Sequence, residues 1–391
     1  MRVLFVAPEN TATGGSFLSM IELCKQLRER HGIEPVVITS MRGDGTGLLK
    51  DNHIEFITLP MYLPTYSHKL HVKDIIKSAI KILLMPLELY SSWKIKKYLQ
   101  NGDIDIVHIN NVFPLGAASA ALDAHIPLVW HVREMFDADY QFAFIRGNDY
   151  AWSLLRRADR VVAISDVVYR KYKHVLSVDN NMVTVYNGIS NEFYSEHKIL
   201  ESPIVAFVCI GQFIEHKNHR ELIEACRILK NKGIYGYKLI LVGKGSLKQS
   251  LKGLVKKYGL TEQVTFEGTR NDIPRFLEKC DVVCVPSSSE AFGRTFVEGM
   301  LSGCLVIGVA SSLSAAEEIV SDGYSGLLYR SGHPDELARK MEEIIGRKYD
   351  ERMRSIARQG QSTAMEKFTS EKNADMIMEV YEDVLKNKVN F

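Results

Sequence analysis

The chain has 391 residues, 46% of them apolar, which suits roughly two to three domains with substantial cores and excludes a disordered or fibrous protein. Its 49 lysines and arginines nearly balance 47 acidic residues, so the composition excludes a polycationic nucleic-acid binder. The six cysteines show no Cys-x-x-Cys spacing, from which we expect no metal site and a reducing compartment. The apolar run at residues 3–7 is too short for a signal sequence or a spanning helix, so we expect a cytoplasmic protein.

Short β-branched segments alternate with helical patterns along the chain, which predicts parallel sheets with crossover helices. The first set of predicted strands lies at residues 2–7, 35–39, 55–59, 105–109, 127–131, 160–164 and 183–186. The second set lies at residues 204–210, 238–242, 264–267, 282–286, 305–308 and 326–329. Beyond these strands only helical patterns follow, at residues 334–345, 351–368 and 373–385.

A polar, turn-rich segment at 187–203 separates the two sets of strands and is interpreted as a linker. We therefore predict an α/β protein in which two doubly wound, Rossmann-like domains, 1–195 and 196–369, face each other across a cleft. A helix at about 370–391 is expected to pack back on the first domain. Because ligands of such sheets bind beyond the carboxyl ends of the strands, functional residues are expected there.

The first candidate site follows the first strand, where Gly14 and Gly15 open a helix. Such a pair lets a phosphate approach backbone N–H groups at a helix N-terminus, and a plain turn is the alternative. His131 ends another predicted strand, as a titratable ring at the sheet edge or as a structural histidine. The missing Gly-x-Gly-x-x-Gly pattern, and the absence of an acid at Ile38 or Thr39, disfavour a dinucleotide site.

The second candidate site follows the first strand of the second domain. There Gly211 and Gln212 lead to Lys217, just before a predicted helix at 220–230. A lysine beside a helix N-terminus suits a diphosphate, and a solvated surface lysine is the alternative.

The strongest local pattern is the segment 290–298, directly after a predicted strand. Gly293 permits close backbone approach, and a helix that begins near Thr295 presents free N–H groups. A carboxylate repels phosphate, so Glu290 and Glu298 are expected to bind neighbouring hydroxyls of a sugar or a ribose. Two solvated acids at a helix end are the alternative.

Taken in order, these motifs resemble the retaining glycosyltransferases of family 4, which have the GT-B fold. Glu290 and Glu298 match the Glu-x7-Glu motif of that family. The other matching motifs are Gly14-Gly15, His131, residues 185–188, Gly211 with Lys217-Asn218, residues 241–245, residues 264–268, and Asp322-Gly323 with Gly326.

The resemblance implies a nucleotide-sugar donor held mainly by the second domain, an acceptor held mainly by the first, and transfer with retention, without metal or cofactor. It places the ribose hydroxyls at Glu298, the donor-sugar hydroxyls at Glu290 and the diphosphate at Lys217. Gly15 is implied to approach the diphosphate, and His131 to lie against the donor sugar. A uridine diphosphate donor is slightly favoured over a guanosine one.

The candidate catalytic residues are therefore His131, Lys217 and Glu290. The candidate donor-binding residues are Gly14, Gly15, Gly211, Gln212, Lys217, Glu290, Phe292, Gly293, Arg294, Thr295 and Glu298. Phe292 and Gly293 are implied to contact the sugar through their backbone. The chain departs from the family pattern at Gln212, where arginine is common, and Arg294 is a candidate replacement for that phosphate cation. A second departure is Ser311-Ser312 in place of a common Gly-Gly pair.

Lysines recur every four residues opposite an apolar side at Lys69, Lys73, Lys77 and Lys81, and Lys94, Lys96 and Lys97 follow. This pattern predicts a basic amphipathic helix at 69–97 that lies on an anionic membrane. The alternative is a surface helix packed on the first sheet with solvated lysines. Membrane binding at the inner face would suit a lipid-linked acceptor, as in assembly of bacterial surface polysaccharides.

The predicted function is therefore transfer of a sugar from a nucleotide diphosphate sugar to a hydroxyl of a glycan or lipid-linked acceptor, with no nucleic-acid partner. A nucleotide-sugar 2-epimerase of the same fold and a non-catalytic nucleotide-sugar-binding protein are the alternatives. A glycosidase is disfavoured, because Lys217 and the two glycine-lined helix starts would have no phosphate to bind.

Overall fold

The computed structural model describes residues 1–67, 72–136, 142–176, 181–196, 203–347 and 350–389. The chain forms two compact units, which we call the first unit (Met1–Gly188 with Ser370–Phe391) and the second unit (Ile189–Thr369). Each unit is built on one parallel sheet with helices, which confirms the predicted α/β class with two doubly wound sheets. Among the described residues, no helix combines the length and apolar character that crossing a bilayer requires.

The first unit is organised around a seven-stranded sheet. The described strands of the first unit, in this sheet and outside it, are β1 (Arg2–Ala7), β2 (Glu34–Ser40), β3 (Glu55–Leu59), β4 (Thr65–Ser67), β5 (Ile106–Asn110), β6 (Leu128–Val132), β7 (Phe142–Phe144), β8 (Arg160–Ala163) and β9 (Met182–Thr184). The parallel order is β3-β2-β1-β5-β6-β8-β9, and β4 pairs separately with β7 in antiparallel fashion. The helices are α1 (Gly15–His31), α2 (Thr46–Asp51), α3 (Val72–Leu83), α4 (Met85–Asn101), α5 (Leu115–Asp123), α6 (Asn148–Arg156) and α7 (Asp166–Leu176).

The central strands are apolar along their length because both faces of a parallel sheet are covered. The side chains of residues 3–7 in β1 are fully buried. Helix α1 buries Phe17, Met20, Cys24 and Leu27 at helical spacing against this sheet. It ends before Gly32, whose φ of 64° suits glycine and whose N–H donates to a carbonyl of the last turn.

The second unit has a six-stranded parallel sheet. Its strands are β10 (Val205–Ile210), β11 (Tyr237–Val242), β12 (Val264–Gly268), β13 (Val282–Val285), β14 (Leu305–Ala310) and β15 (Leu327–Arg330), in the order β12-β11-β10-β13-β14-β15. The helices are α8 (His219–Asn231), α9 (Lys248–Lys257), α10 (Ile273–Leu277), α11 (Arg294–Leu301), α12 (Ala316–Ile319), α13 (Pro334–Gly346) and α14 (Glu351–Lys367).

A last helix, α15 (Ser370–Val389), returns to the first unit and packs against α1. It buries Ile377, Tyr381 and Val384 in the same core as β1 and α1. The ion pair between Arg30 and Asp375, with 2.8 Å between Nη2 and Oδ2, joins the two helices at the surface. The core of the first unit is therefore completed by residues that precede the second unit in the sequence together with residues that follow it.

The boundary between the units falls after Gly188, whereas the sequence placed it at residue 195. The difference has a local cause, because the segment after the boundary packs on the second unit. Ser195 donates from Oγ to the carbonyl of Ser302 at 3.0 Å, and Ser302 donates from Oγ to the carbonyl of Phe193 at 3.1 Å. The segment is thus anchored to the end of α11.

The predicted strands are confirmed with end shifts of one or two residues, and the predicted helices after β15 are also confirmed. The sequence missed β4 and β7, which are only three residues long and pair only with each other. The prediction of a single basic helix at 69–97 is wrong. Two helices, α3 and α4, occupy this segment, because Pro86 in the first turn of α4 has no N–H for a continuous helix. Residue 69 lies outside the described residues.

Candidate active site

The strand order of the second unit places two candidate segments side by side. Strand β10 lies between β11 and β13, so the order of strands reverses between β10 and β13. Ligands of open parallel sheets bind at the carboxyl ends of strands at this reversal. Residues 211–217 follow β10, and residues 287–293 follow β13. Neighbouring strands therefore bring the two predicted donor-binding segments together.

Lys217 and Glu290 form an ion pair at this reversal, with 2.6 Å between Nζ and Oε2. Both are partly buried, with 26% and 16% of their side chains exposed. The backbone of Glu290 is anchored on both sides, since its N–H donates to Leu313 O and its carbonyl accepts from Ala315 N, each at 2.9 Å. The backbone that carries the Glu290 carboxylate is thus fixed by hydrogen bonds on both sides.

The loops around this pair are joined by close backbone contacts. The carbonyl of His216 accepts from Ser288 N at 2.9 Å, which links the two segments directly. The loop after β11 approaches so closely that a Cβ on Gly243 would lie 1.9 Å from the carbonyl oxygen of Gly211. The Gly211 N–H donates to Val242 O at 3.0 Å, so this N–H extends the hydrogen bonding between the neighbouring strands and is not available to a ligand.

The N-terminus of α11 begins at Gly293, whose φ of 86° lies in the left-handed region. The side chain of Phe292 is buried and its ring packs edge-on against Phe368, with 5.9 Å between centroids. A contact of the Phe292 backbone with the sugar stays a prediction. Thr295 is half-buried in the first turn of the helix.

Glu298 and Arg294 form a second ion pair one helical turn apart, with 3.2 Å between Oε1 and Nη2. Burial raises the pKa of Glu298, and the neighbouring guanidinium of Arg294 counteracts this rise. The sequence offered Arg294 as a phosphate cation. The structure shows its guanidinium against Glu298, and a role toward phosphate stays a prediction.

The remaining residues after β10 differ in exposure. Gln212 is exposed, and Gly211 is half-buried. His219, which the sequence analysis did not single out, is buried at the start of α8 with its ring edge-on to Phe213, at 4.9 Å between centroids. Burial lowers the pKa of His219 to about 4, so it is neutral near pH 7 and lies beside the cation of Lys217. The available signal in the sequence was its place two residues after Lys217, at the start of a predicted helix.

In the first unit, Gly14 and Gly15 open α1 as predicted. The Gly14 N–H donates to Thr11 O at 3.0 Å, which closes the turn, and Gly15 is exposed. The first N–H groups of any helix lack intrahelical partners, so this end can receive an anion. The loop after β2 packs on this turn, since Asp44 Oδ1 accepts from Ala12 N at 2.8 Å.

His131 is the penultimate residue of β6, so it lies at the carboxyl end of that strand as predicted, and its side chain is fully buried. Burial and the neighbouring Arg133 guanidinium lower the pKa of His131 well below its usual value, so the ring is neutral at physiological pH. Its Nδ1 lies 3.1 Å from Nε2 of His108 and 3.2 Å from Nη2 of Arg133.

His108 and its partners were missed by the sequence analysis. His108 Nδ1 lies 2.7 Å from the hydroxyl of Tyr381, which α15 supplies. The available signal was the pair of polar residues His108 and Asn110 inside β5, a strand that is buried along its whole length. Polar groups in such a strand need hydrogen-bond partners and indicate an internal network.

Two family models match the chain: Glycosyltransferase Family 4 over residues 13–193 and Glycosyl transferases group 1 over residues 191–363. The first match spans most of the first unit and the second match most of the second unit. The sheet topology agrees with solved GT-B structures that superpose on nearly the whole chain. The chain therefore belongs to the glycosyltransferases and has the GT-B fold.

Particular relatives are distant in sequence. An uncharacterised glycosyltransferase of Methanocaldococcus jannaschii is 26% identical over 76% of this chain and 80% of its own. The N-acetyl-alpha-D-glucosaminyl L-malate synthase of Bacillus anthracis is 23% identical over 97% of this chain and 96% of its own. The crystal structure of Anabaena HepE in complex with UDP superposes with a TM-score of 0.77 at 23% identity, covering 98% of this chain and 100% of that one.

Proposed function

We propose that the protein is a retaining, metal-independent glycosyltransferase that moves a sugar from a nucleotide diphosphate sugar to a hydroxyl of a glycan or lipid-linked acceptor. The observation that carries this proposal is that two ion pairs lie where the strand order reverses: Lys217 with Glu290, and Arg294 with Glu298. Each pair combines a cation suited to phosphate with a carboxylate suited to hydroxyls. Both lie beside the N-terminus of α11, which favours negative charge.

The geometry suits departure of a diphosphate. As the bond between the anomeric carbon and the phosphate oxygen breaks, negative charge grows on the leaving group and positive charge on the sugar. Lys217 and the helix N-terminus stabilise the growing negative charge, which lowers the barrier. In front-face transfer the acceptor oxygen bonds the anomeric carbon on the face that the phosphate leaves, and the acceptor proton passes to the leaving phosphate. Glu290, held by Lys217, then accepts hydrogen bonds from sugar hydroxyls and needs no role as a nucleophile.

A uridine diphosphate sugar is the favoured donor, because solved structures of Anabaena HepE contain UDP and UDP-glucose. The assay measures nucleoside diphosphate release from uridine, guanosine and adenosine diphosphate sugars. The acceptors tested in parallel are free glycans, lipid-linked glycans and malate. Malate is included because the name of one relative contains it. Nuclear magnetic resonance of the product gives the anomeric configuration, and retention is expected. A changed sugar without any acceptor would indicate an epimerase, and an inverted product would refute the retaining mechanism.

Variants test the donor site itself. Glu290→Gln and Glu298→Gln keep the side-chain size and remove the charge, so each should lower kcat/KM on the order of 10- to 150-fold. Glu342→Gln is the matched control, because Glu342 forms an exposed ion pair with Lys232 in the same unit, with 2.5 Å between Oε2 and Nζ. If both site variants retain the activity of the control, the donor site is elsewhere.

Membrane association of the first unit is part of the same proposal. An α3–α4 surface exposes nine large apolar or aromatic side chains, with exposed fractions from 38% to 78%: Ile75, Ile76, Ile80, Ile82, Leu83, Leu87, Leu89, Tyr90 and Trp93. The alternative of an apolar side packed on the sheet does not hold for these residues. Such an apolar surface on a protein indicates an interaction site.

The lysines of the α3–α4 surface favour an anionic bilayer as its occupant. Lys77 is exposed beside the apolar side chains of α3. Lys94 and Lys97 stand over the ring of Trp93, with 5.4 and 5.6 Å between Nζ and the ring centroid. Aromatic rings with lysines that extend past them are typical of membrane-interface helices. Lys81 differs from the prediction, because its Nζ donates to Thr65 Oγ1 at 3.0 Å instead of facing solvent.

Vesicle binding tests this surface. Replacing Lys77, Lys94 and Lys97 by glutamine should weaken binding to vesicles with anionic lipid about 150-fold, at about 1 kcal/mol for each lysine. The matched control replaces Lys252, Lys256 and Lys257 of α9, which are also exposed and two of which also lie over aromatic rings. Equal binding by the two triple variants would exclude the α3–α4 surface as the membrane site. Binding would support a lipid-linked acceptor and a place at the inner face of the membrane.

A further inference from the structure

A buried hydrogen-bonded chain leads from α15 to His131 inside the first unit. The hydroxyl of Tyr381 lies 2.7 Å from Nδ1 of His108, and Nε2 of His108 lies 3.1 Å from Nδ1 of His131. Nη2 of Arg133 lies 3.2 Å from the same Nδ1. The side chains of Tyr381, His108 and His131 are fully buried, and 6% of Arg133 is exposed. These four side chains therefore form one internal hydrogen-bond network.

The guanidinium of Arg133 determines where the protons lie. Arginine has only donors, so Nδ1 of His131 must present its lone pair to Arg133. Arg133 is itself held in place, because its Nε and Nη1 donate to the side-chain oxygens of Asn110 and Asn187. Because Nδ1 of His131 then carries no proton, the proton between the two rings lies on Nε2 of His108, and His108 and Arg133 share the one lone pair of that Nδ1. It follows that Nδ1 of His108 accepts the proton of the Tyr381 hydroxyl.

This order of protons leaves the ring of His131 with its own proton on Nε2. Among the described residues, no protein atom accepts a hydrogen bond from that nitrogen, although it is buried. The opposite order would place the Nδ1 proton of His131 against the N–H of Arg133, which is repulsive. Burial also lowers the pKa values of His108 and His131 well below the usual range, so both rings are neutral.

We propose that Arg133, His108 and Tyr381 are positioning residues that hold His131 as the neutral tautomer with its proton on Nε2, ready to donate to one substrate oxygen. The donation to substrate rests on the proposed glycosyl transfer, whereas the tautomer follows from the network alone. Tyr381 reaches this network from α15, so that helix contributes to the function of His131 as well as to the core. A neutral donor suits a sugar hydroxyl oxygen, which carries no charge.

The tautomer is tested in the wild-type protein. Two-bond nitrogen–proton correlation spectra of protein labelled on its 12 histidines distinguish protonated from bare ring nitrogens, and the His131 signals are assigned by their loss in His131→Gln. We expect both His131 and His108 to be neutral near pH 7 with the proton on Nε2. A proton on Nδ1 of His131, or a charged ring, would overturn the proposal. This measurement needs no Tyr381 variant to fold and no turnover.

The positioning role is tested with Tyr381→Phe, which removes one hydroxyl and leaves the ring. We expect His108 to show both tautomers, and kcat to fall about 5- to 10-fold with a donor KM within about twofold of wild type. Tyr237→Phe is the matched control, since it removes a buried hydroxyl that donates to Cys226 O at 3.2 Å in the second unit. If Tyr381→Phe keeps the His108 tautomer and the kcat of this control, the positioning role is refuted. If wild-type protein transfers no sugar, the proposed function fails while the spectra still decide the tautomer.

Discussion

Replacing Gly293 by alanine tests how tightly the start of α11 is built. Its φ of 86° is disfavoured for residues with a side chain, at a cost of about 1–2 kcal/mol. An added Cβ would also lie 2.7 Å from Cδ2 of Phe296, which is buried, and 3.2 Å from Cγ of Glu290. Displacing packed groups costs roughly a further 1–3 kcal/mol. We therefore expect the free energy of unfolding to fall by about 2–5 kcal/mol.

Gly332→Ala is the matched control for this experiment. Gly332 has a similar φ of 78°, but no atom lies within 4 Å of an added Cβ. It should therefore lose only the backbone contribution, about 1–2 kcal/mol. Urea denaturation followed by circular dichroism measures both variants, and the difference between them isolates the contact with Phe296 and Glu290. Equal losses in the two variants would refute the close packing at Gly293.

Activity adds a second readout to the same pair of variants. A Cβ at residue 293 displaces Glu290, so kcat/KM should fall at least about tenfold in Gly293→Ala. Gly332→Ala should remain within about twofold of wild type, because Gly332 is exposed and follows β15. A Gly293→Ala protein with lower stability and unchanged kcat/KM would show that the exact backbone of this turn does not affect catalysis.

Three further predictions follow from the charged groups. Lys217→Met should lower kcat/KM on the order of 10- to 150-fold in steady-state assays, and kcat/KM equal to that of wild type would remove Lys217 from the donor site. Burial raises the pKa of Glu88 from its usual 4.5 to about 7, so stability should fall as pH rises through this window. Glu88→Gln should remove that fall and gain roughly 1–3 kcal/mol at pH 8, and urea denaturation at pH 5 and pH 8 measures it. Arg294→Ala should raise the pKa of Glu298 further and weaken nucleotide binding in thermal-shift titrations. Arg294→Lys should bind nucleotide with an affinity between those of wild type and Arg294→Ala. Unchanged binding would remove Arg294 from the donor site.

Local sequence patterns predicted most of the fold, because the buried strands are short apolar runs and most of the long helices are amphipathic. They also located Lys217 and Glu290 at strand ends. Their contact needs more than local pattern, since it depends on β10 and β13 becoming neighbours in the sheet. Sequence position alone also does not show that the guanidinium of Arg294 contacts Glu298 in the folded protein.

The network around His131 shows why other features escaped prediction. His108 and Tyr381 are 273 positions apart, and they meet only because α15 returns to the first unit. The break between α3 and α4 was readable from Pro86, but periodic lysines suggested a continuous helix. Periodicity identified an amphipathic segment there without showing whether its apolar side faces protein or solvent. Burial is a tertiary property, and only the structure shows Ile76 and Trp93 exposed.

The return of α15 has a consequence for how the molecule is made. A ribosome synthesises all of Ile189–Thr369 before it reaches Ser370–Val389. Until then α1 lacks the neighbour that covers Met20 and Cys24, and His108 lacks the hydroxyl of Tyr381. The core of the first unit therefore cannot be completed until the whole second unit has been synthesised.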